Sequence, residues 1–469
     1  MDCVILVMCQ SKANLVSRPC VSFFNVRLCP QATASPMTTS SDDQAMLLPL
    51  SPMDAIMGSL GFTSLYIFPR PSNNAQPFDL EQLHTSFQAL VEDEYRILLG
   101  ELHVHPTTGV VSIRQMSGAM TASAIPFKKT DDPDTMTEDV MTSLSMGFVA
   151  ERDPEQPMTI KTTLLSDGGL VIGVNVSHTL LDGEGMFTFM KVWGEFYRNI
   201  AKEDRTVVCH DRALLAGRGI RPVLPHPEFK LKQQALAPVY DAPAPTKFPP
   251  TAQHVFHISP TQLKQLKTIA MDSLSAEDGY VSTTDALTAL FVILISQARG
   301  HKQDVKITTG VNARKRFVPP LPANFAGNAV SSAFSQYKAH ELETLNGPAI
   351  AEIAKRVRQS ILLQDDAFLR DAIEFITAQS SIADVLVGTD FFFGPDLMFT
   401  SRVNLGTYDA DFGARPWYAG VPTLPVCDGL VIIMEGIRGA EGLDVVVFLK
   451  TSAMARLKEL WVSVPFWRI

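Results

Sequence analysis

The chain has 469 residues, 46% of them apolar and 19% charged, and a formal net charge of −9. That length allows one large or two medium domains with ample material for a core. The acidic balance gives a nucleic-acid partner no global electrostatic support, and no apolar run reaches the roughly 18 residues of a membrane-spanning helix.

Four of the six cysteines (Cys3, Cys9, Cys20 and Cys29) fall near the N-terminus, leaving Cys209 and Cys427 for the rest. This is no disulfide framework, and no CxxC pair offers a zinc site, so a reducing, cytoplasmic setting without a metal is expected. Val4-Ile5-Leu6-Val7-Met8 is apolar but short, with no basic region before it, which makes a poor signal peptide. Residues 1–36 read as a dispensable, disordered extension, from an upstream start codon; a cleaved targeting segment is the minority alternative.

Asp79 to Leu98 carries Leu80, Leu83, Phe87, Leu90 and Val91 at helical spacing. Thr159–Leu165 and Gly169–His178 alternate as strands around Ser166-Asp167-Gly168, a hairpin turn signal. Gly185 to Ala201 reads as a helix with a core stripe of Phe187, Met190, Trp193 and Phe196. Residues 221–250 hold eight of the 31 prolines and read as a semi-rigid linker. Beyond it, Ser259-Pro260 starts a helix through Met271, and helices follow at Thr284–Arg299, within Pro348–Gln379 and at Ser452–Leu460. Strands are expected at Val305–Val311, Asp396–Thr400, Gly429–Met434 and Leu443–Leu449. Helices and strands thus mix on both sides of the linker. The expected fold is α/β, with an N-terminal lobe at 37–220 and a C-terminal lobe at 251–469, and a ligand cleft between them.

The densest chemistry lies at Val176-Ser177-His178-Thr179-Leu180-Leu181-Asp182-Gly183, between a strand and a helix. His178 continues the apolar face of its strand and so points into an interior or cleft, where an imidazole can take a proton from a hydroxyl. The local pattern alone fits equally well a buried histidine satisfied by a backbone carbonyl.

Five further segments follow in order: Ser282-Thr283-Thr284-Asp285-Ala286, Val311-Asn312-Ala313-Arg314-Lys315-Arg316, Phe325-Ala326-Gly327-Asn328-Ala329, Thr400-Ser401 with Asp409-Ala410-Asp411-Phe412-Gly413, and Asp428-Gly429. With the His178–Asp182 pair they resemble the BAHD acyltransferases, a CoA-dependent family, from about Leu48 to Leu460. The resemblance implies two chloramphenicol-acetyltransferase-like lobes, each a mixed sheet with flanking helices, and an active-site channel between them. It implies an O-acyltransferase that moves an acyl group, acetyl by frequency in the family, from acyl-CoA to a hydroxyl of a small, secondary-metabolite-like acceptor. CoA is then a co-substrate and no cofactor is tightly bound. His178 becomes the general base and Asp182 an orienting residue paired with Arg314. Asp411 and Gly413 are supporting and mainly structural. Ser282, Thr283, Thr400 and Ser401 line the CoA path, and Lys315, Arg316 and Arg415 are the cations expected to meet its phosphates. Taken by itself, Arg314-Lys315-Arg316 also fits a solvated charge run. The chain is expected to act as a monomer.

The chain departs from the family pattern in two places. Asp-Phe-Gly-Trp-Gly is usual, whereas here Asp411-Phe412-Gly413 continues as Ala414-Arg415-Pro416-Trp417. The oxyanion role that the missing tryptophan has in some members is left without a residue, Trp417 being the nearest substitute. Arg402 also stands where many members have tryptophan after Thr-Ser. Two alternatives remain at this point: a catalytically inactive binding protein of the same fold, supported by the altered Asp-Phe-Gly segment, and a condensation-type domain using a carrier-bound donor. The latter usually has two adjacent histidines, where this chain has Ser177-His178.

Overall fold

The computed structural model describes residues 46–58, 60–72, 76–115, 121–232 and 248–467. The extension at 1–36 and the linker centre at 233–247 lie outside them.

Two mixed β-sheets organise the described residues. The first has the order Tyr418–Gly420, Gly61–Phe68, Leu170–Ser177, Met158–Leu165, Phe127–Asp132. The second has the order Val330–Tyr337, Val305–Asn312, Leu397–Ser401, Leu430–Glu435, Leu443–Lys450, Thr251–Ile258. Helices Leu80–Asp93 and Gly183–Tyr197 cover the first sheet, with Trp193 edge-on to Phe87 at 5.4 Å and donating its indole N–H to Leu83 O. Helix Thr283–Arg299 is buried almost all round behind the second sheet, against Pro260–Asp272, Gly347–Leu362 and Thr451–Val462.

The expected hairpin forms, with Leu164 opposite Leu170 and Gly168 at φ 81° in the turn. Its second strand is buried on both faces. Ile172, Val174 and Val176 face the helices, while Val171 faces a second apolar cluster with Leu65, Ile67, Ile432, Met434, Val446 and Phe448. That cluster joins the two sheets. Gly173 interrupts the apolar pattern because a Cβ there would lie 2.0 Å from Phe148 O, so the interruption marks close packing rather than solvent.

Helix Leu80–Asp93 stops short of the expected Leu98, and Tyr95 turns into the core before a 3₁₀ turn at Arg96–Leu98. The Pro348–Gln379 stretch is two helices, Gly347–Leu362 and Asp366–Thr377, the second capped by Asp365, which accepts from Phe368 N at 2.9 Å. Tyr418–Gly420, from the C-terminal half, pairs with Leu65–Ile67 at the edge of the first sheet, so the chain crosses back after the linker.

Candidate active site between the two sheets

His178 directly follows the strand Leu170–Ser177, and its backbone N–H donates to Leu60 O at 2.8 Å. Its ring lies 5.0 Å from that of Phe62. Its carbonyl accepts from the Asn328 amide at 3.2 Å, so a segment from the C-terminal half fixes the backbone of the histidine. Nδ1 is sealed from solvent with no partner of good geometry, which leaves Nε2 as the nitrogen offered for chemistry. Burial pushes the imidazole below its ordinary proton affinity. Its own carbonyl and the Asp182 charge oppose that shift, and the Arg402 charge reinforces it.

Asp182 caps the helix Gly183–Tyr197, its Oδ1 accepting from Gly185 N at 2.9 Å. The same carboxylate accepts two bonds from Arg314, 2.7 Å at Oδ2 and 2.8 Å at Oδ1, and a third from Ala329 N at 2.9 Å. Arg314 is itself held by Phe325 O at 2.8 Å and Gly327 O at 3.1 Å. Both ions are buried, and each finds most of its hydrogen bonds within the cluster, the condition under which a buried pair is tolerated. The carboxylate is thus spent on the cap and the arginine.

Deeper in, Asp54 is fully buried and its carboxyl is pushed up by burial, against the opposing pull of Arg212, Ser51 and Asn328 N. Arg212 also donates to Leu180 O at 2.9 Å, inside the motif loop. Asp54, Arg212 and Asn328 thus brace the loop from behind. Their roles were not singled out from the sequence, because the 50s, the 210s and the 320s meet only in the fold.

Asp411, Phe412 and Gly413 pack on the far part of the same helix. Phe412 is fully buried, edge-on to Trp193 at 5.1 Å, and Asp411 accepts from Gly413 N at 3.0 Å and pairs with Arg198 at 3.5 Å. Gly413 has φ 90°, which explains a glycine there. Ser282 spends its hydroxyl and N–H on a capping box with Asp285, and Thr283 opens that helix half-buried. Thr400 and Ser401 end the strand Leu397–Ser401, where it runs parallel to Leu430–Glu435.

The three expected phosphate cations do not gather. Lys315 is exposed, one residue beyond the buried Arg314. Arg316 is only half-buried and spends Nη1 on Ile361 O at 2.9 Å and Gln364 O at 3.1 Å, so it caps a helix end. Its neighbour Arg358, which the sequence reading missed, grips buried Asp285 and lies over the exposed Tyr280 ring at 5.3 Å. Arg415 lies elsewhere. Two residues on, Trp417 donates its backbone N–H to Ile67 O, whereas the Gly61 end of that strand meets Ser177. Six residues of strand, about 20 Å, separate the two ends. The same span corrects the expectation that Trp417 substitutes for the missing tryptophan near His178.

A shared junction of two mixed sheets, with a histidine and a buried Asp–Arg clamp, defines a two-lobed acyltransferase-type fold. The Transferase family model matches residues 32–462, and the chain belongs to that family, the BAHD acyltransferases. It is 26% identical to Hydroxycinnamoyltransferase 1 of Oryza sativa subsp. japonica, over 65% of this chain and 68% of that one. It is likewise 26% identical to Shikimate O-hydroxycinnamoyltransferase of Nicotiana tabacum, over 63% of this chain and 67% of that one. In fold it is similar to F. graminearum TRI101 crystallised with coenzyme A and deoxynivalenol, with a TM-score of 0.74 at 18% identity over 89% of this chain and 99% of that one. The protein is an acyl-CoA-dependent acyltransferase acting on hydroxyl or amine acceptors. Among the described residues no helix is long and apolar enough to cross a membrane.

Proposed function

We propose that His178 is the general base of an O-acyl transfer without a covalent enzyme intermediate. The acceptor O–H gives its proton to Nε2 as the oxygen attacks the thioester carbonyl; the C–S bond then breaks and the imidazolium returns the proton to the departing thiolate. A thioester is already activated, so one base suffices, and base catalysis of this kind supplies about 10²–10⁴-fold. The observation that carries this reading is a half-buried histidine of lowered proton affinity, fixed through its backbone by Asn328 and Leu60. A lowered proton affinity keeps such a ring in the unprotonated form that can accept a proton.

Asp182 is the orienting residue and Arg314 its support. Asp411 and Gly413 act through packing. Ser282, Thr283, Thr400, Ser401 and Lys315 form the CoA side in this reading, Lys315 being the free cation of that group. Residues 37–220, completed by the edge strand Tyr418–Gly420, and the remainder of 251–469 act as two lobes joined at 221–250, and the protein works as a monomer in the cytoplasm. The acyl group is read as acetyl. An aromatic acyl group is the second reading, favoured by the names of the hydroxycinnamoyltransferase relatives. Incubation with acetyl-CoA and p-coumaroyl-CoA in turn, with a panel of alcohols and amines and detection of free CoA thiol, tests both. No thiol release from either donor would support the binding-protein alternative.

A further inference from the structure

The peptide groups on both sides of His178 are pinned, and by different parts of the chain. Its N–H donates to Leu60 O at 2.8 Å, and its carbonyl accepts from the Asn328 side-chain amide at 3.2 Å. With both peptide planes fixed, only the two side-chain torsions remain to aim the ring. Two residues on, Arg212 donates to Leu180 O at 2.9 Å. The donors to these two carbonyls share one acid. Asp54 accepts from Asn328 N at 2.9 Å through Oδ1, and Arg212 Nε lies 3.5 Å from its Oδ2. Asp54 is fully buried and is itself held by Ser51, whose hydroxyl and N–H donate to Oδ2 at 2.7 and 3.0 Å. Adjacent amides of one segment thus meet both buried acids of the site: Asn328 N meets Asp54, and Ala329 N meets Asp182. The same segment is fixed at Ala326, whose N–H donates to Cys209 O at 2.8 Å. At Gly327 a Cβ would lie 2.5 Å from the Phe325 ring, so the segment has no room to shift there.

We propose that Asp54 and Asn328 are positioning residues of the base: Asp54 sets the Asn328 segment, the Asn328 amide sets the His178 carbonyl, and that carbonyl sets where the imidazole points. They act on turnover through His178 and not only by supporting the fold. The proposal rests on the reading of His178 as the base. It is distinct from the Asp182–Arg314 clamp, which holds the far end of the motif loop, whereas this pair holds the residue that carries the ring. Misplacing a reacting group by about 1 Å costs on the order of 10²-fold in rate, so losing one bond to this carbonyl is large enough to read in kcat.

The test uses two variants. Asn328→Ala removes the amide but keeps the backbone N–H that meets Asp54, and Asp54→Asn keeps the volume but removes the charge. Each is expected to lower kcat by about tenfold or more, with the KM for the acyl-CoA that reacts in the screen above within about twofold of the wild type. Each is then combined with His178→Ala, where no ring is left to aim. There the residual turnover is expected within about twofold of His178→Ala alone, because changes that act through one group do not add. A merely structural role would lower turnover by the same factor in both backgrounds. The ring is also read without substrate. The His178 signals of ¹³C-histidine-labelled protein, assigned by their absence from His178→Ala, are expected to shift or broaden in both single variants. If Asp54→Asn does not fold, Ser51→Ala, which removes one hydroxyl bond to Asp54, is expected to give a smaller fall in kcat of the same kind. A wild-type kcat in folded Asn328→Ala, an equal fall in both backgrounds, or unmoved His178 signals overturns the proposal. If His178→Ala keeps full turnover while the His178 signals still move in Asn328→Ala, the positioning stands and the base reading fails.

Discussion

Arg314 grips Asp182 through two bonds of 2.7 and 2.8 Å although 132 residues separate them, and both ions are buried. The clamp therefore joins the helix that starts behind the histidine to the second sheet. Removing one member strands the other. Asp182→Ala is expected to lower stability by about 3–5 kcal/mol, the range for breaking a buried pair, and to lower turnover with it. Arg314→Met should do the same. Denaturant unfolding read by tryptophan fluorescence checks both variants. Wild-type stability in either would mean that the clamp contributes little.

His178→Ala removes a proton acceptor but no ion pair. Turnover is expected to fall by at least about 10²-fold while the melting temperature stays near that of the wild type. Full turnover by a folded variant would take His178 out of the mechanism.

The pH profile follows from the direction of the His178 shift. Burial holds the ring neutral below the ordinary imidazole range, so the acid limb of kcat/KM should fall at a pH below the usual histidine value. The same sign applies to stability: the unfolded chain binds the proton first, so this histidine favours unfolding as pH drops through its unfolded value. A log kcat/KM profile whose acid limb sits at or above the ordinary value would contradict the lowered proton affinity of this ring.

Gly194 faces the Asp411 backbone so closely that a Cβ would lie 2.5 Å from its carbonyl oxygen. Gly194→Ala must therefore move the Asp411–Gly413 loop, at a cost of about 1–3 kcal/mol. Because the loop packs away from His178, the acid limb of the pH profile should stay in place. A lowered denaturation midpoint with an unmoved limb is the expected pair of readings.

Much of this was legible in the sequence, for identifiable reasons. The hairpin, the helix after the motif and the long apolar helix Thr283–Arg299 are local patterns with turn or cap signals at their ends. The edge strand Tyr418–Gly420 was not legible, being only three residues long and paired with a strand more than 300 positions earlier. The Asp182–Arg314 contact came from the family resemblance, since nothing local in either segment points to the other. Arg316 shows the limit of a charge run: three adjacent basic residues have three fates, a buried pair, an exposed cation and a helix-end cap.

Those fates separate the cations by experiment. Lys315→Glu is expected to raise the KM for acyl-CoA a few-fold at low salt, an effect that shrinks as salt screens it. Arg415→Glu, at the other end of the first sheet, should leave that KM unchanged. An effect of Arg415 equal to that of Lys315 would place the phosphates near the edge strand instead.

A second histidine, far from the motif, gives the opposite pH dependence. His226 is buried between two carboxylates, with Nδ1 2.8 Å from Glu228 and Nε2 3.0 Å from Asp371. Asp371 also accepts from Val223 and Leu224 N, so the trio pins the start of the Pro-rich segment to helix Asp366–Thr377. Burial works against the charged ring, but the two carboxylates outweigh it and raise its proton affinity above the ordinary imidazole value. The folded chain therefore holds a proton that the unfolded chain releases first. This contribution to stability is complete below the unfolded imidazole value and is lost as pH rises through the folded one. His226→Gln should lower stability most at pH 6, and the gap to the wild type should narrow as the pH is raised. Melting temperatures of both proteins from pH 6 to 10 give the comparison; a gap that stays constant over that range would show that His226 holds the segment by shape and not by charge.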